Sequence, residues 1–333
     1  MAELSSCGSC QLTETPKTAL SRLDDLSEVF LSASKSEATK AAYRLDWQAF
    51  TAWTSEHDLE PLPATPSTVR RWITHLAHDL SRAPATISRS MTAISQAHKI
   101  LSLQSPTTAP EVVETFKGIR RRLGTAQNRA KPLMLSDLKT VVDSMRPTYL
   151  ERRDTAMLLV GWSAALRRSE IVNLMFDDID FVSEGMIVTI RASKTDQEGA
   201  GYRIGVPFAR DERYCPTKRL KNWIDLANIT SGEPLFFAVG GDGQKFHKSV
   251  NERRKICTRS LSDILKKRIR QAGLSDGGYS GHSLRAGFVT EAAKRETPEW
   301  MIQVHTRHRT TKVLRTYIRE GNLFNSNPLS ILL

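Results

Sequence analysis

Apolar residues recur along most of the chain at helical rather than strand spacing. Leu23, Leu26 and Phe30 stand at i, i+3, i+7, and Tyr43, Trp47 and Phe50 carry a similar stripe, so two amphipathic helices are predicted first. Thr65-Pro66 supplies an N-cap followed by proline at the first helical position, with Val69, Trp72, Ile73 and Leu76 on one face after it. Ile87, Met91, Ile94 and Leu101 predict a fourth helix. Pro110 opens a fifth, with Val113 and Phe116 inward and the basic run Arg120-Arg121-Arg122 at its end. These stripes are core positions, and they predict a helical bundle over 20–124. Residues 1–19, rich in Ser and Thr and without apolar periodicity, read as a disordered tail.

Apart from its closing proline, Gly124 to Pro132 holds no apolar side chain larger than alanine, and it carries two cations, Arg129 and Lys131. That composition predicts an interdomain linker over 125–131, able to lie along phosphate. Beyond it, Ser136-Asp137 is a predicted N-cap ahead of Leu138, Val141 and Val142, followed by an apolar helix over 154–164 and a short segment 167–174. The one strand signal covers 186–190 and 202–208, separated by a polar loop that holds Lys194. Helical patterns resume at 216–227, 258–272, 282–295, 298–304 and 310–318. The predicted fold is mainly α with a small antiparallel β-sheet: a helical-bundle N-terminal domain, then an α+β domain over 132–333.

Charge sharpens this picture. The chain has 48 Lys and Arg against 36 Asp and Glu, a formal net charge of +12, which points to a polyanionic partner, nucleic acid before an anionic membrane surface. The apolar run from Met157 to Leu166 is far short of the roughly 20 residues that span a bilayer. With no signal-peptide pattern either, no membrane role and a cytoplasmic location are expected. Four cysteines agree with a reducing compartment, and Cys7 and Cys10 lack the further ligands that a zinc site needs. His75/His78 and His305/His308 have no matching carboxylate, so no metal site is expected. Asp177, Asp178 and Asp180 read as an acidic turn rather than a metallonuclease cluster.

Four fragments carry chemistry, in chain order: Ala-Leu-Arg167-Arg-Ser-Glu170, Ala-Ser-Lys194-Thr, Gly-His282-Ser-Leu-Arg285, and His308 followed nine residues later by Tyr317. Each alone is unremarkable, since R-x-x-E on a helix is ordinarily a surface ion pair. Together, in this order and at these separations, they resemble the tyrosine recombinase family, and the simple two-domain members most closely. Two positions depart from that pattern: Ala165 and Arg307 stand where many members have glycine.

The residue types suit metal-free cleavage of a phosphodiester. Two guanidiniums, Arg167 and Arg285, neutralise the non-bridging oxygens of a phosphorane-like transition state. Tyr317 is a nucleophile whose phenolate a cationic pocket favours. Lys194 on a hairpin tip can protonate the departing 5′ oxygen. His282 and His308 can each hydrogen-bond the phosphate, His282 also helping to deprotonate the tyrosine, and Glu170 can orient a neighbouring histidine or arginine.

The resemblance implies a site-specific DNA recombinase that forms a 3′-phosphotyrosyl intermediate without cofactor. It implies a core-binding DNA-binding domain over 20–124 and a target of inverted arms bound by a homodimer, with a tetramer in the synapse and a nucleoid-associated location. Arg120, Arg121, Arg122, Arg129 and Lys131 are the linker-proximal DNA-binding candidates. Residues 323–333 hold Leu323, Phe324, Leu329, Ile331, Leu332 and Leu333, and the resemblance implies that this segment docks on a neighbouring protomer, folding back on its own domain being the alternative. A type IB topoisomerase and a catalytically silent DNA-binding protein are the competing functions. Excision, integration and dimer resolution all remain compatible with the sequence.

Overall fold

The computed structural model describes residues 37–124, 130–191, 201–239, 253–308 and 310–321. The chain divides into two compact units, 1–127 and 128–333. The helix predicted around Leu23 to Phe30, the tail 1–19, Cys7 and Cys10 lie outside the described residues.

In the first unit the described helices are α1 (Glu37–Glu56), α2 (Pro66–His78), α3 (Pro84–Ile100) and α4 (Pro110–Leu123). Phe50, Trp53, Val69, Trp72, Ile73, Leu76, Ile87, Ile94 and Val112 form their common core. The start of α2 follows the predicted chemistry: the Thr65 hydroxyl accepts the Thr68 N–H at 3.1 Å, and Pro66 fills a position whose N–H would have no helical partner. Inside the core, the Trp72 indole donates to Ser90 Oγ at 2.9 Å, so the largest side chain is buried without an orphaned donor. Two predicted core positions are wrong. Leu101 is 56% exposed because α3 ends at Ile100, and Val113 is 37% exposed because Val112, Phe116 and Ile119 carry the inward stripe of α4.

The second unit is built on α6 (Tyr149–Ser163), which is buried on nearly every side. It begins five residues earlier than predicted. Its first turns carry Glu151, Arg153 and Asp154, charges that imitate a loop in sequence but are buried here as a paired network. Arg268 donates to Asp154 Oδ2 at 2.8 and 2.6 Å and to Glu151 Oε1 at 3.0 Å, while Arg153 pairs with Asp154 at 2.7 Å and reaches the Phe237 carbonyl. Around α6 pack α5 (Leu135–Asp143), α7 (Arg168–Asn173), α8 (Pro216–Ala227), α9 (Thr258–Gln271), α10 (Ser283–Lys294), α11 (Glu299–Thr306) and α12 (Thr311–Gly321). Ser136-Asp137 does not cap α5. The helix starts at Leu135, whose N–H donates to the Glu291 carboxylate at 3.4 Å, and Asp137 instead accepts the Tyr279 hydroxyl at 3.1 Å.

A three-stranded antiparallel sheet, β1 (Ile179–Val182), β2 (Gly185–Ile190) and β3 (Tyr202–Pro207), is ordered β1-β2-β3. Val182 pairs with Gly185 across a two-residue turn, and Ile190 pairs with Tyr202. Sequence patterning missed β1, since only Ile179 of its four residues is buried. The acidic run around it is structural. Asp177 accepts the Gly232 N–H at 2.8 Å and Asp178 accepts the Met175 N–H at 2.9 Å, in the 3-10 turn that leads into the strand.

Among the described residues no helix is long and apolar enough to cross a membrane, and no group of His, Cys, Asp and Glu could hold a metal ion.

Candidate active site

Three chain turns converge at one end of α10. The first is the turn 164–167, which ends α6 and starts α7. Arg167 is the N-cap of α7, and Glu170 sits in its first turn, where its carboxylate accepts the Arg167 backbone N–H at 2.8 Å through Oε2. The same carboxylate takes Arg167 Nη1 at 2.6 Å through Oε1. Local helix capping therefore fixes the Arg167 guanidinium.

The second turn, 280–283, starts α10. Glycine is required at 281, since a Cβ there would stand 2.9 Å from the Arg168 Cβ, so the segment bearing His282 lies directly against α7. Glycine is required at 287 as well, where a Cβ would meet the Leu133 carbonyl oxygen at 1.9 Å. One turn into the helix Arg285 is 2% exposed. It donates from Nη1 to the Ala165 carbonyl at 2.7 Å and from Nη2 to the Thr306 carbonyl, bridging the first and third turns.

The third turn, 306–308, closes α11. Its hydroxyl, imidazole and guanidinium are all engaged. Thr306 Oγ1 lies 2.6 Å from the Ile302 carbonyl and 2.6 Å from His308 Nδ1. A hydroxyl has one proton, and the carbonyl can only accept, so Thr306 accepts from His308 Nδ1–H and leaves Nε2 as the proton acceptor. Arg307 Nη2 reaches Glu170 Oε2 at 3.1 Å and the Ala165 carbonyl at 3.3 Å, and Arg167 Nη2 donates to the Arg307 carbonyl at 3.4 Å. Tyr317, on α12, is 7% exposed and packs with Ala286, Val289, Ala293, Ile302 and Leu314. That packing holds α12 against α10, and the phenol is near enough to Arg285 to bear on its charge.

Crowded cations set the electrostatics. Burial, with Arg167 and Arg307 nearby, pushes the Arg285 guanidinium well down from its ordinary value to about 9, so it is still protonated at neutral pH. His308 is pushed down to about 3 by burial and then by Arg285, Arg167, His282 and Arg307. The His282 ring is solvent-accessible, yet the protein around it strips part of its hydration, and Arg285, Arg167 and Arg168 add to that in holding it below its usual range. Both imidazoles are neutral at pH 7, in a pocket that is positive without them.

Residues 131–322 match the model of the phage integrase family. A protein of Selenomonas ruminantium named integrase/recombinase xerD homolog is 34% identical over 304 residues, which cover 90% of this chain and 86% of that one. The chain belongs to the phage integrase family, the tyrosine recombinases. A tyrosine recombinase XerC of Corynebacterium glutamicum is 23% identical over 93% of this chain and 90% of its own. Two solved structures show the same fold. One is the Tn1549 transposon integrase in complex with transposon right end DNA, with TM-score 0.61 and 11% identity over 88% of this chain and 92% of that one. The other is a lambda integrase dimer bound to a COC' core site, with TM-score 0.56 and 16% identity over 90% and 94%.

In this recombinase Arg167, Glu170, His282, Arg285, His308 and Tyr317 come from separate parts of the sequence into one cluster. Lys194 and Arg129 lie outside the described residues. Arg120, Arg121 and Arg122 are exposed at the end of α4. Lys131 is anchored to the second unit: its backbone N–H donates to the Gly278 carbonyl at 2.9 Å and its ammonium lies 4.8 Å from the Tyr279 ring centre. His305 is a structural residue, within 2.8 Å of the Ser163 carbonyl and stacked on Phe288 at 4.5 Å. Sequence reasoning missed Arg307, treating it only as a departure from glycine. The signal was there: Ala165 and Arg307 have φ of 46° and 57°, so the two positions where many members have glycine are both left-handed turns.

Proposed function

We propose that this recombinase cleaves and rejoins DNA at a specific site, with Tyr317 as nucleophile. The assembly of Tyr317 with two arginines and two neutral histidines around one buried carboxylate carries the reading. The Tyr317 oxygen attacks the scissile phosphorus while His282 takes the phenol proton. The bond to the 5′ oxygen breaks, and Lys194 gives that oxygen a proton. Arg167 and Arg285 face the charge gathering on the non-bridging oxygens, charge that is greatest in the transition state. The negative charge of the bound phosphate offsets the guanidiniums that hold His308 neutral, so its Nε2 takes a proton from water and donates it in a hydrogen bond to a phosphate oxygen. The phosphotyrosyl ester at the 3′ end keeps the phosphoester bond, so attack by a 5′ hydroxyl reverses the step and rejoins strands without an external energy source. A dimer on inverted arms, a tetramer in the synapse and a place at the nucleoid follow from this reading. An exposed apolar face formed by Tyr202, Trp300, Met301 and Val304 supports assembly, since it offers a seat for residues 323–333 of a neighbouring protomer.

A nicked suicide duplex tests the chemistry. The wild type should trap a protease-sensitive covalent adduct, and Tyr317→Phe should bind the duplex but trap none. An adduct on Tyr317→Phe would make Tyr317 the wrong nucleophile. Relaxation of supercoiled plasmid lacking any cognate site would replace the recombinase reading with a topoisomerase.

A further inference from the structure

Arg307 makes contacts that the mechanism above does not use. Its side chain is 6% exposed. Its Nε and Nη1 are buried without a hydrogen-bond partner among the described residues, and its backbone sits at the left-handed φ of 57°. Unpaired buried donors and a left-handed backbone at a residue with a Cβ are each unfavourable, and such placements persist where the surroundings make use of them. Burial pushes the guanidinium below its ordinary pKa, with Glu170 opposing that shift and Arg167 adding to it.

The contacts show what the use is. Glu170 meets Arg167 twice, through its backbone N–H and through Nη1. Such a carboxylate, left alone with Arg167, would cancel the positive charge that a phosphate needs to meet. Arg307 takes the same carboxylate from the other side at 3.1 Å, and its carbonyl receives Arg167 Nη2 at 3.4 Å. The trio Arg167, Glu170 and Arg307 is thereby closed through side chain and backbone and carries one net positive charge.

We propose that Arg307 is a positioning residue for Arg167: by sharing the Glu170 carboxylate it fixes the Arg167 guanidinium and preserves its positive charge for the scissile phosphate. This rests on the reading of the cluster as a DNA-cleaving centre.

The full chain on a nicked suicide duplex tests it, with single-turnover adduct formation and DNA affinity measured separately. Arg307→Gln should slow adduct formation on the order of 10-fold to 100-fold, the scale of a misplaced catalytic group, while DNA affinity is kept. Arg307→Lys, which restores the charge, should recover most of that rate. In a Glu170→Gln background, where no carboxylate opposes Arg167, Arg307→Gln should cost much less than it does in the wild type. Arg307→Gly serves if the glutamine variant folds poorly, because glycine adopts the left-handed turn freely. Adduct formation at the wild-type rate by Arg307→Gln or Arg307→Gly overturns the proposal, as does an equal fold-loss with and without the Glu170 carboxylate. Absence of any adduct from the wild type would instead sink the reading of the site itself.

Discussion

Arg285 donates to the backbone carbonyl of Ala165 across 2.7 Å, and so ties α10 to the turn that delivers Arg167. With its second bond, to Thr306, it acts as a cross-brace between the two left-handed turns of the site. The brace is itself a buried cation among cations. A guanidinium pushed down to about 9 by burial and by the Arg167 and Arg307 charges is held at an unfavourable cost of roughly 5 kcal/mol. The carbonyls it satisfies would be left unpaired at about 1–3 kcal/mol each, so the two effects nearly balance. A site of this kind is relieved when an anion arrives.

Arg285→Gln should therefore melt at or near the wild-type temperature while adduct formation falls on the order of 100-fold to 1000-fold, as expected for a lost oxyanion donor. Added phosphate should raise the wild-type melting temperature more than that of the variant. A large drop in melting temperature for Arg285→Gln would show that the brace outweighs the charge burial.

Acid should weaken the fold through the same pocket. His308 has a folded pKa of about 3, below the 6.5 of a free imidazole. The unfolded chain therefore binds more protons between those values, and stability is full above about pH 6.5 and lost as pH falls towards the folded pKa. His282 and His305 are lowered too and act in the same direction. At pH 5 the His308 contribution alone is on the order of 2 kcal/mol. His308→Asn should lose melting temperature less steeply than the wild type between pH 7 and pH 5. Parallel profiles would remove His308 from this role.

Much of this architecture is legible in the chain because local chemistry and burial agree. Thr65-Pro66 starts a helix where the cap says it should, and Ile204 and Val206 face inward on β3 as period-2 patterning requires. Departures occur where burial and residue type part company. Charged residue types such as Glu151, Arg153 and Asp154 ordinarily lie at a surface, and it is Arg268, 114 residues beyond Asp154, that pairs them inside the fold. Within the site, motif spacing marks Arg167, Glu170, His282, Arg285, His308 and Tyr317. The contact between Glu170 and Arg307 spans 137 residues and joins no pair of known spacing. What sequence can show there is only the pair of unexpected side chains at 165 and 307, and their meaning depends on the sign of φ.

Salt should govern DNA affinity. Arg120, Arg121 and Arg122 are exposed on the last turn of α4, where long cationic side chains are free to meet phosphates. Each phosphate contact contributes a slope of about −0.9 in log affinity against log salt concentration. Replacing all three with glutamine should make the measured slope shallower by about 2 to 3, with similar losses on cognate and unrelated duplexes. An unchanged slope would mean that α4 does not meet the backbone.

Deleting residues 323–333 tests whether assembly runs through the C-terminal segment, which lies outside the described residues. Its six large apolar side chains are costly to leave in water at roughly 25 cal/mol per Å2. The face formed by Tyr202, Trp300, Met301 and Val304 has an apolar surface of its own to cover. If each protomer passes its segment to the next, the contact is heterologous and closes into a ring. The truncated protein should then bind one DNA arm with near-normal affinity but fill the second arm without cooperativity, and recombination should be lost. Trp300→Glu in the full-length chain should reproduce the defect by placing a charge on the receiving face, without removing any residue from the cleavage site. Cooperative filling of both arms by the truncated chain would instead assign the segment to its own protomer, since a tail folded back on its own domain contributes nothing to the contact between neighbours.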